Sequence, residues 1–353
     1  MDAICINQND IKERSIQVAR ISDIYKQAIT VVGFIATANV NIDRAVNFIK
    51  TIANHWKELA NNPNSDFFKS PLYELDQSTI EEFRTFFGLP YWNRLWIVQE
   101  IAFGFERLTF GTLSSVDLLS ACSYLEHFDN LRTDLARICS EQGKMDISDF
   151  FDQFHRVRDL MKLHFTNRRS SGIRSLIDLS RISRTSQQKD VRDKIYGILN
   201  LMDPDFAHLI VPNYSKSVCQ VYVDFATSVI IYTNSLDYIC SNRACLQDQA
   251  EIPSWVPDWM VPLQTHIEVE ADNLHHASGN RGADVRVDSQ NNFLIVKGFQ
   301  FDVVDGLSVG LGDNKTLMTS DTKLTPTNGC SIVYTNKEEA KDALYRTMIA
   351  DMG

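Results

Sequence analysis

No stretch of this chain approaches the ~18 consecutive apolar residues of a membrane-spanning helix, which argues against an integral helical membrane protein. The opening Met1-Asp2-Ala3-Ile4 has no basic segment and no apolar segment of a secretory signal, so a cytoplasmic protein is expected. Cysteine is sparse and scattered: seven residues, an odd number, none in a C-x-x-C pair and none at zinc-finger spacing from histidine. A disulfide framework and a zinc site are therefore not expected, and no metal is assigned. Glycine motifs are missing too. There is no G-x-x-x-x-G-K-S/T loop, and Gly310-Leu-Gly312 lacks the third glycine of a dinucleotide fingerprint. The absence of G-x-S-x-G, H-E-x-x-H and the kinase signatures removes three further enzyme classes.

Basic charge is also short. Thirty-five Lys+Arg against 45 Asp+Glu leave a net charge of −10, which repels phosphate backbones and argues against nucleic acid as a partner. The densest basic stretch, Arg168, Arg169, Arg174, Arg181 and Arg184 among serines, reads as a solvated face or loop.

What remains is an ordinary globular chain. With 353 residues, 44% apolar and 23% charged, it can bury a sizeable core and fits two or three domains. Ala3–Ile6 reads as the end of a strand, and Asp10 with Glu13 has capping-box spacing for the helix that follows. Val18, Ile21, Ile24, Tyr25 and Ala28 recur on one helical face. Ile29–Ala36 is β-branched and nearly all apolar, the pattern of a strand covered on both faces. Strand, helix, strand predicts a βαβ unit and a parallel sheet. A helix follows with Ile42, Ala45, Val46, Ile49, Ile52, Ala53, Trp56 and Leu59 on one side. Ser78 and Glu81 suggest a cap for a short helix carrying Phe83, Phe86 and Phe87, and Pro90 opens a helix over Tyr91–Phe103. A short strand is expected within Arg107–Gly111. From Ser115 to about Tyr232 the periodicity is helical, in segments Ser115–Phe128, Asp149–His164, Asp190–Met202 and Ser215–Ile231. Arg168–Ser171 and Ser183–Lys189 read as loops between them. Val285–Asp288, Phe293–Gly298 and Phe301–Val304 read as hairpin strands around Asn291-Asn292, and Asp342–Asp351 as a helix.

Four segments stand out. D-A-I-C-I-N-Q (Asp2–Gln8) is followed by E-R-S-x-Q-V (Glu13–Val18) and I-Y-x-x-A (Ile24–Ala28). R-x-W-x-x-Q-E stands at Arg94, Trp96, Gln99 and Glu100; D-x-R-D-K-I-Y-x-x-L at Asp190–Leu199; P-S-W-V-P-D-W at Pro253–Trp259. In this order they resemble the fungal heterokaryon-incompatibility (HET) domain proteins. Such proteins usually open with a strand upstream of D-A-I-C-I-N-Q and continue beyond the point where this chain stops. The expectation is thus a chain incomplete at its start and at its end. The resemblance implies an α/β fold: a partial HET domain over residues 1–110, similar to the Toll/interleukin-receptor (TIR) fold and lacking its first strand. A helical region over 111–240 and a small β-rich region over 241–353 would follow.

Some TIR-like domains hydrolyse NAD with one glutamate, and Glu100, four residues after Trp96, falls at that position. In that reading NAD is a substrate and no cofactor is required. One carboxylate near the ribose would stabilise the oxocarbenium-like state of glycosidic cleavage. Trp96 would stack on a base, Arg94 would pair with a phosphate, and Asp2, Asn7, Gln8 and Gln99 would complete the ligand site. The opposing reading makes Trp96 core, Gln99 and Glu100 partners of buried polar groups, Asp2 and Asn7 turn residues, and Cys5 apolar filler. Arg192, Asp193 and Tyr196 are expected to form an ion pair and a packing contact, and Trp255, Asp258 and Trp259 to staple the core. Functionally, the resemblance implies nonself recognition leading to cell death, by NAD breakdown or by self-assembly. The alternatives are a non-enzymatic protein-interaction module and a non-functional remnant.

Overall fold

The computed structural model describes residues 5–35, 40–62, 76–127, 147–166, 173–240, 252–261, 282–288 and 292–297. The chain forms two compact units, Met1–His266 and Ile267–Gly353.

The first unit opens differently from the sequence expectation. Cys5 is helical and Ile6 lies in a bend, while Ala3 and Ile4 fall outside the described residues. An apolar run of four residues carries no periodicity that separates helix from strand, which is why the extended reading failed at Cys5–Ile6. Asp10 then caps α1 (Ile11–Gln27), its Oδ1 accepting from Lys12 N at 2.9 Å and Glu13 N at 3.1 Å. The Glu13 carboxylate reaches past the cap to accept from Asn7 N at 3.4 Å. Val18 and Ile21 are buried, with Tyr25 and Ala28 packed beside the core, whereas Ile24, expected on the same face, is half exposed.

β1 (Val31–Val32) pairs in parallel with β2 (Leu108–Phe110), Val31 opposite Leu108, and Gly33 N extends the ladder to Thr109 O at 2.8 Å. β2 turns back antiparallel into β3 (Leu113–Ser114) through a two-residue loop. Gly111 takes φ +62° there, as a hairpin with glycine at its first loop position requires. The sheet is therefore mixed, ordered β1-β2-β3, with β1 at an edge. This corrects the reading of Ile29–Ala36 as covered on both faces. Val31 and Ile35 are buried, but Val32 is 65% and Phe34 79% exposed. One face of β1 meets Gly104, which leaves room for the Val31 methyls, and the other faces solvent.

Between β1 and β2 run α2 (Asp43–Asn61), α3 (Gln77–Phe87) and α4 (Ile97–Gly104). α2 buries Ala45, Val46, Ile49, Ile52, Ala53 and Leu59, the face its spacing predicts, and packs on α3. α3 is capped by Asp76, which accepts from Thr79 N at 2.7 Å, in place of the Ser78–Glu81 box read from sequence. The Asp76 carboxylate, two residues earlier, takes a free N–H of the first turn and starts the helix there. The helix expected over Tyr91–Phe103 is interrupted. Pro90–Asn93 makes a 3₁₀ turn, Arg94 is extended, and α4 begins at Ile97. The break is held by bonds to a distant loop: Gln187 N to Asn93 O at 2.6 Å and Leu95 N to Gln187 O at 2.9 Å.

α5 (Ser115–His127), α6 (Ile147–Thr166), α7 (Ile173–Thr185), α8 (Asp193–Leu199), α9 (Pro204–Ala207), α10 (Val218–Thr233) and α11 (Asp237–Cys240) complete the helical part. The sequence reading has no α7; its many serines and arginines hid the period, and the helix runs through Thr185 where a loop was expected to begin. Arg168–Ser171 lies outside the described residues. One continuous core joins these helices to the sheet, from Val18 through Trp92 to Trp259. Its densest part is aromatic, with Phe83 and Phe87 ring centroids 4.9 Å apart and Phe87 and Phe154 5.5 Å apart.

In the second unit, β4 (Val285–Asp288) and β5 (Phe293–Val296) form the expected antiparallel hairpin, Asp288 opposite Phe293. Asn292 enters β5 with φ +54°. Phe301–Val304 and Asp342–Asp351 lie outside the described residues.

Candidate functional site

Glu100 sits in the first turns of α4, half-buried, beside the carboxyl end of β1. Tyr91 Oη donates to its Oε1 at 2.5 Å and Tyr25 Oη to its Oε2 at 3.5 Å. Burial, then the charge of Glu100, drives the Tyr91 phenol far above its ordinary pKa, so it stays a proton donor. Gly33 makes this possible. A Cβ there would lie 2.9 Å from Tyr91 Oη and 2.4 Å from the Phe110 ring. The carboxylate is thus oriented by phenols from α1 and from the 3₁₀ turn, at the strand end where open α/β sheets bind ligands. Such a group can stabilise positive charge developing next to it.

The other candidates do not gather around it. Gln99, although adjacent, is fully buried and faces α8: its Nε2 donates to Gly197 O at 2.9 Å, and its Oε1 accepts from Asn200 at 3.2 Å. Trp96 is partly buried against the core, on the side of the Asp193 carboxylate. Arg94 is exposed, its backbone engaged with Gln187. Asn7 is exposed and folds its own turn, Oδ1 accepting from Asn9 N at 3.1 Å. Gln8 is exposed, and Cys5, expected as filler, is an exposed free thiol. Asp2 lies outside the described residues.

The D-x-R-D segment forms a second cluster with α1. Arg192 clamps Asp190 through two bonds of 2.9 and 2.8 Å, and donates to Tyr214 O at 2.6 Å and Lys216 O at 2.8 Å. Asp193, 3% exposed, takes the Tyr214 hydroxyl at 2.5 Å and Arg14 at 3.4 Å. Arg14 also reaches Asp190 at 3.1 Å. Burial pushes the Asp193 carboxyl up to about 6. Tyr196 is buried beside Tyr214 and exchanges bonds with Asn213, donating to its O at 3.2 Å and accepting from its N at 3.1 Å. Both carboxylates and both phenols here are bonded inside the fold, the arrangement of a structural lock.

In P-S-W-V-P-D-W, Trp259 is fully buried, donates to Tyr238 Oη at 2.9 Å and stands edge-on to Phe225 at 5.3 Å. Trp255 packs partly buried against the core, and Asp258 Oδ1 accepts from Met260 N at 2.8 Å. Sequence reasoning placed Tyr25 only on the apolar face of α1 and assigned no role to Tyr91, Arg14 or Tyr214. Arg14 and Tyr25 lie within the quoted segments, but their partners are 75 to 200 positions away and no local spacing points to them.

Residues 1–100 match the family model described as heterokaryon incompatibility protein (HET), so the matched region ends at Glu100. Heterokaryon incompatibility protein 6, OR allele, of Neurospora crassa is 22% identical over 306 residues, covering 73% of this chain and 44% of the relative. The chain therefore spans less than half the length of that curated relative. No solved structure matches the chain. The part of the chain that is similar to the HET family thus carries α1, the edge strand and the Tyr91–Glu100 pair.

Proposed function

We propose that this chain acts in fungal heterokaryon incompatibility as a module that associates with a second copy of itself through the edge of its sheet. The observation that carries the reading is the exposed apolar row on β1 and the residues beside it: Ile29 at 92%, Val32 at 65% and Phe34 at 79%. An edge strand with outward apolar side chains is a template for pairing with another chain. Light scattering on the purified chain tests this. A dimer or larger species that Val32→Lys with Phe34→Asp converts to monomer supports the reading; a wild-type chain that stays monomeric at tens of micromolar rejects it.

One observation favours a second, enzymatic reading, in which the TIR-like expectation holds and NAD is cleaved at its nicotinamide–ribose bond. It is the Glu100 carboxylate oriented by Tyr91 at the carboxyl end of β1. Trp96 and Gln99 point elsewhere, so base stacking and further ligand contacts would fall to other residues. NAD loss abolished by Glu100→Gln supports catalysis; a folded chain that leaves NAD intact leaves the association module. Nonself recognition ending in cell death is the cellular outcome either reading serves.

A further inference from the structure

At the carboxyl end of α7, Arg184 is a buried cation with two donors unused. The residue is 5% exposed, and among the described residues neither Nε nor Nη2 has a hydrogen-bond partner. These two nitrogens lie on the same edge of the guanidinium and point their N–H bonds in parallel, the fork that grips two oxygens of a carboxylate or phosphate. The surroundings do not use that fork. Trp259 offers its ring face, 5.2 Å from the guanidinium carbon. Burial lowers the guanidinium pKa, and Tyr238, Asp258 and Tyr222 nearby only partly offset that cost.

Neighbouring groups add to the cationic excess. Lys194 Nζ, also buried, is fully engaged with Ser183 O, Arg184 O and Ser186 O at 2.8, 2.8 and 2.7 Å. Arg156 is engaged with Trp92 O, Thr185 Oγ1 and Ser186 Oγ, each at 2.9 Å. Burial, and then the charges of Arg156 and Arg184, depress the Lys194 ammonium to about 8. Three cations thus converge on one helix end. Two have all their contacts inside the fold, and the third keeps its bidentate edge free. A buried charge-bearing donor without a partner is costly, and an oxyanion on that edge removes the cost.

We infer that the Nε–Nη2 edge of Arg184 is an oxyanion-binding site, taking the two-oxygen face of a phosphate or a carboxylate. The site is independent of Glu100 and of the β1 edge. Because both nitrogens are closed to solvent, the anion enters on local opening of the fold around Arg184, and binding is slow.

Thermal unfolding of the full 353-residue chain tests this in inorganic phosphate, in sodium acetate, and in sodium chloride of equal ionic strength. The expected result is a saturating rise in Tm of about 4 °C over the chloride control in one or both oxyanions. The rise is lost in Arg184→Met and largely lost in Arg184→Lys, which keeps the charge without the fork. Phosphate alone would identify a phosphate site, acetate alone a carboxylate site. An equal rise in wild type and both variants would be general exclusion of the salt from protein surface and would overturn the inference. So would no rise in the wild type, or a full rise in Arg184→Lys. Should Arg184→Met fail to fold, the lysine variant carries the comparison.

Discussion

Arg14 sits over Tyr214, its guanidinium carbon 3.6 Å from the ring centroid, and ties together residues 200 positions apart. Around that stack, Asp190 and Asp193 receive Arg14 from one side while Asp193 takes the Tyr214 hydroxyl from the other. The lock joins α1 of the family-matched region to the loop ahead of α10. Tyr214→Phe removes the donor and leaves a buried carboxylate short of one bond, a cost of about 1–3 kcal/mol. Urea unfolding should show that loss in the midpoint with the slope unchanged.

The same carboxylate makes stability depend on pH in a defined direction. Asp193 titrates near 6 in the fold against 3.8 for an unburied aspartate, so the folded chain binds the proton more tightly than the unfolded one. Its effect is therefore most favourable below pH 3.8 and is lost as pH rises through 6, a difference of about 3 kcal/mol. Asp190 works the opposite way. Its folded pKa is lowered by Arg192 bonding against burial, so its contribution is present above pH 3.8 and fades below it. Between pH 4 and 7 the Asp193 effect runs against gains from Glu126, held low by Lys162 and Arg158 against burial, and from His155, held low by burial. Asp193→Asn removes only the Asp193 part, so the unfolding free energy of the variant should rise relative to wild type as pH goes from 4 to 7. An unchanged slope in the variant would remove Asp193 from the account.

The sequence made the local parts of this fold readable and left the long-range parts hidden. Asp10 as a helix cap, the buried face of α2, β2 within Arg107–Gly111 and the β4–β5 hairpin all follow from spacing within a few residues. Arg184 shows the limit. In sequence it belongs to a serine-rich arginine stretch and reads as solvated; in the structure it is buried under Trp259, because α7 turns that face toward a segment 75 positions later. Arg181, one turn earlier, does stay exposed, with Asp178 3.7 Å away. The candidate site divides in the same way. Trp96, Gln99 and Glu100 are near neighbours in sequence, yet helical rotation sends them to Asp193, Gly197 and Tyr91.

Gly33 is the residue on which the Glu100 geometry rests. A methyl group there meets the Phe110 ring at 2.4 Å and the Tyr91 hydroxyl at 2.9 Å, and Phe110 belongs to the strand hairpin. Gly33→Ala should therefore cost about 1–3 kcal/mol of overpacking. It should also displace Tyr91 from Glu100. Tyr91→Phe removes the same hydrogen bond without the clash. If the enzymatic reading holds, both variants lose NAD turnover, while only the alanine variant shows the larger drop in Tm. Wild-type Tm in Gly33→Ala would mean that Phe110 moves freely.

Gln99 and Glu100 are adjacent and should behave in opposite ways. Gln99→Leu keeps the volume but leaves Gly197 O, deep in the α4–α8 contact, without its donor, and frees Asn200 from its acceptor. That is a loss of about 1–3 kcal/mol, which lowers Tm by several degrees in a unit of this size. Glu100→Gln leaves an amide oxygen where Tyr91 can still donate, so the change in stability should stay within about 1 kcal/mol. The pair separates a role in holding the fold from a role at a site. A large stability loss at Glu100 would make it a second structural residue like Gln99, and would end the case for catalysis there without an assay for NAD.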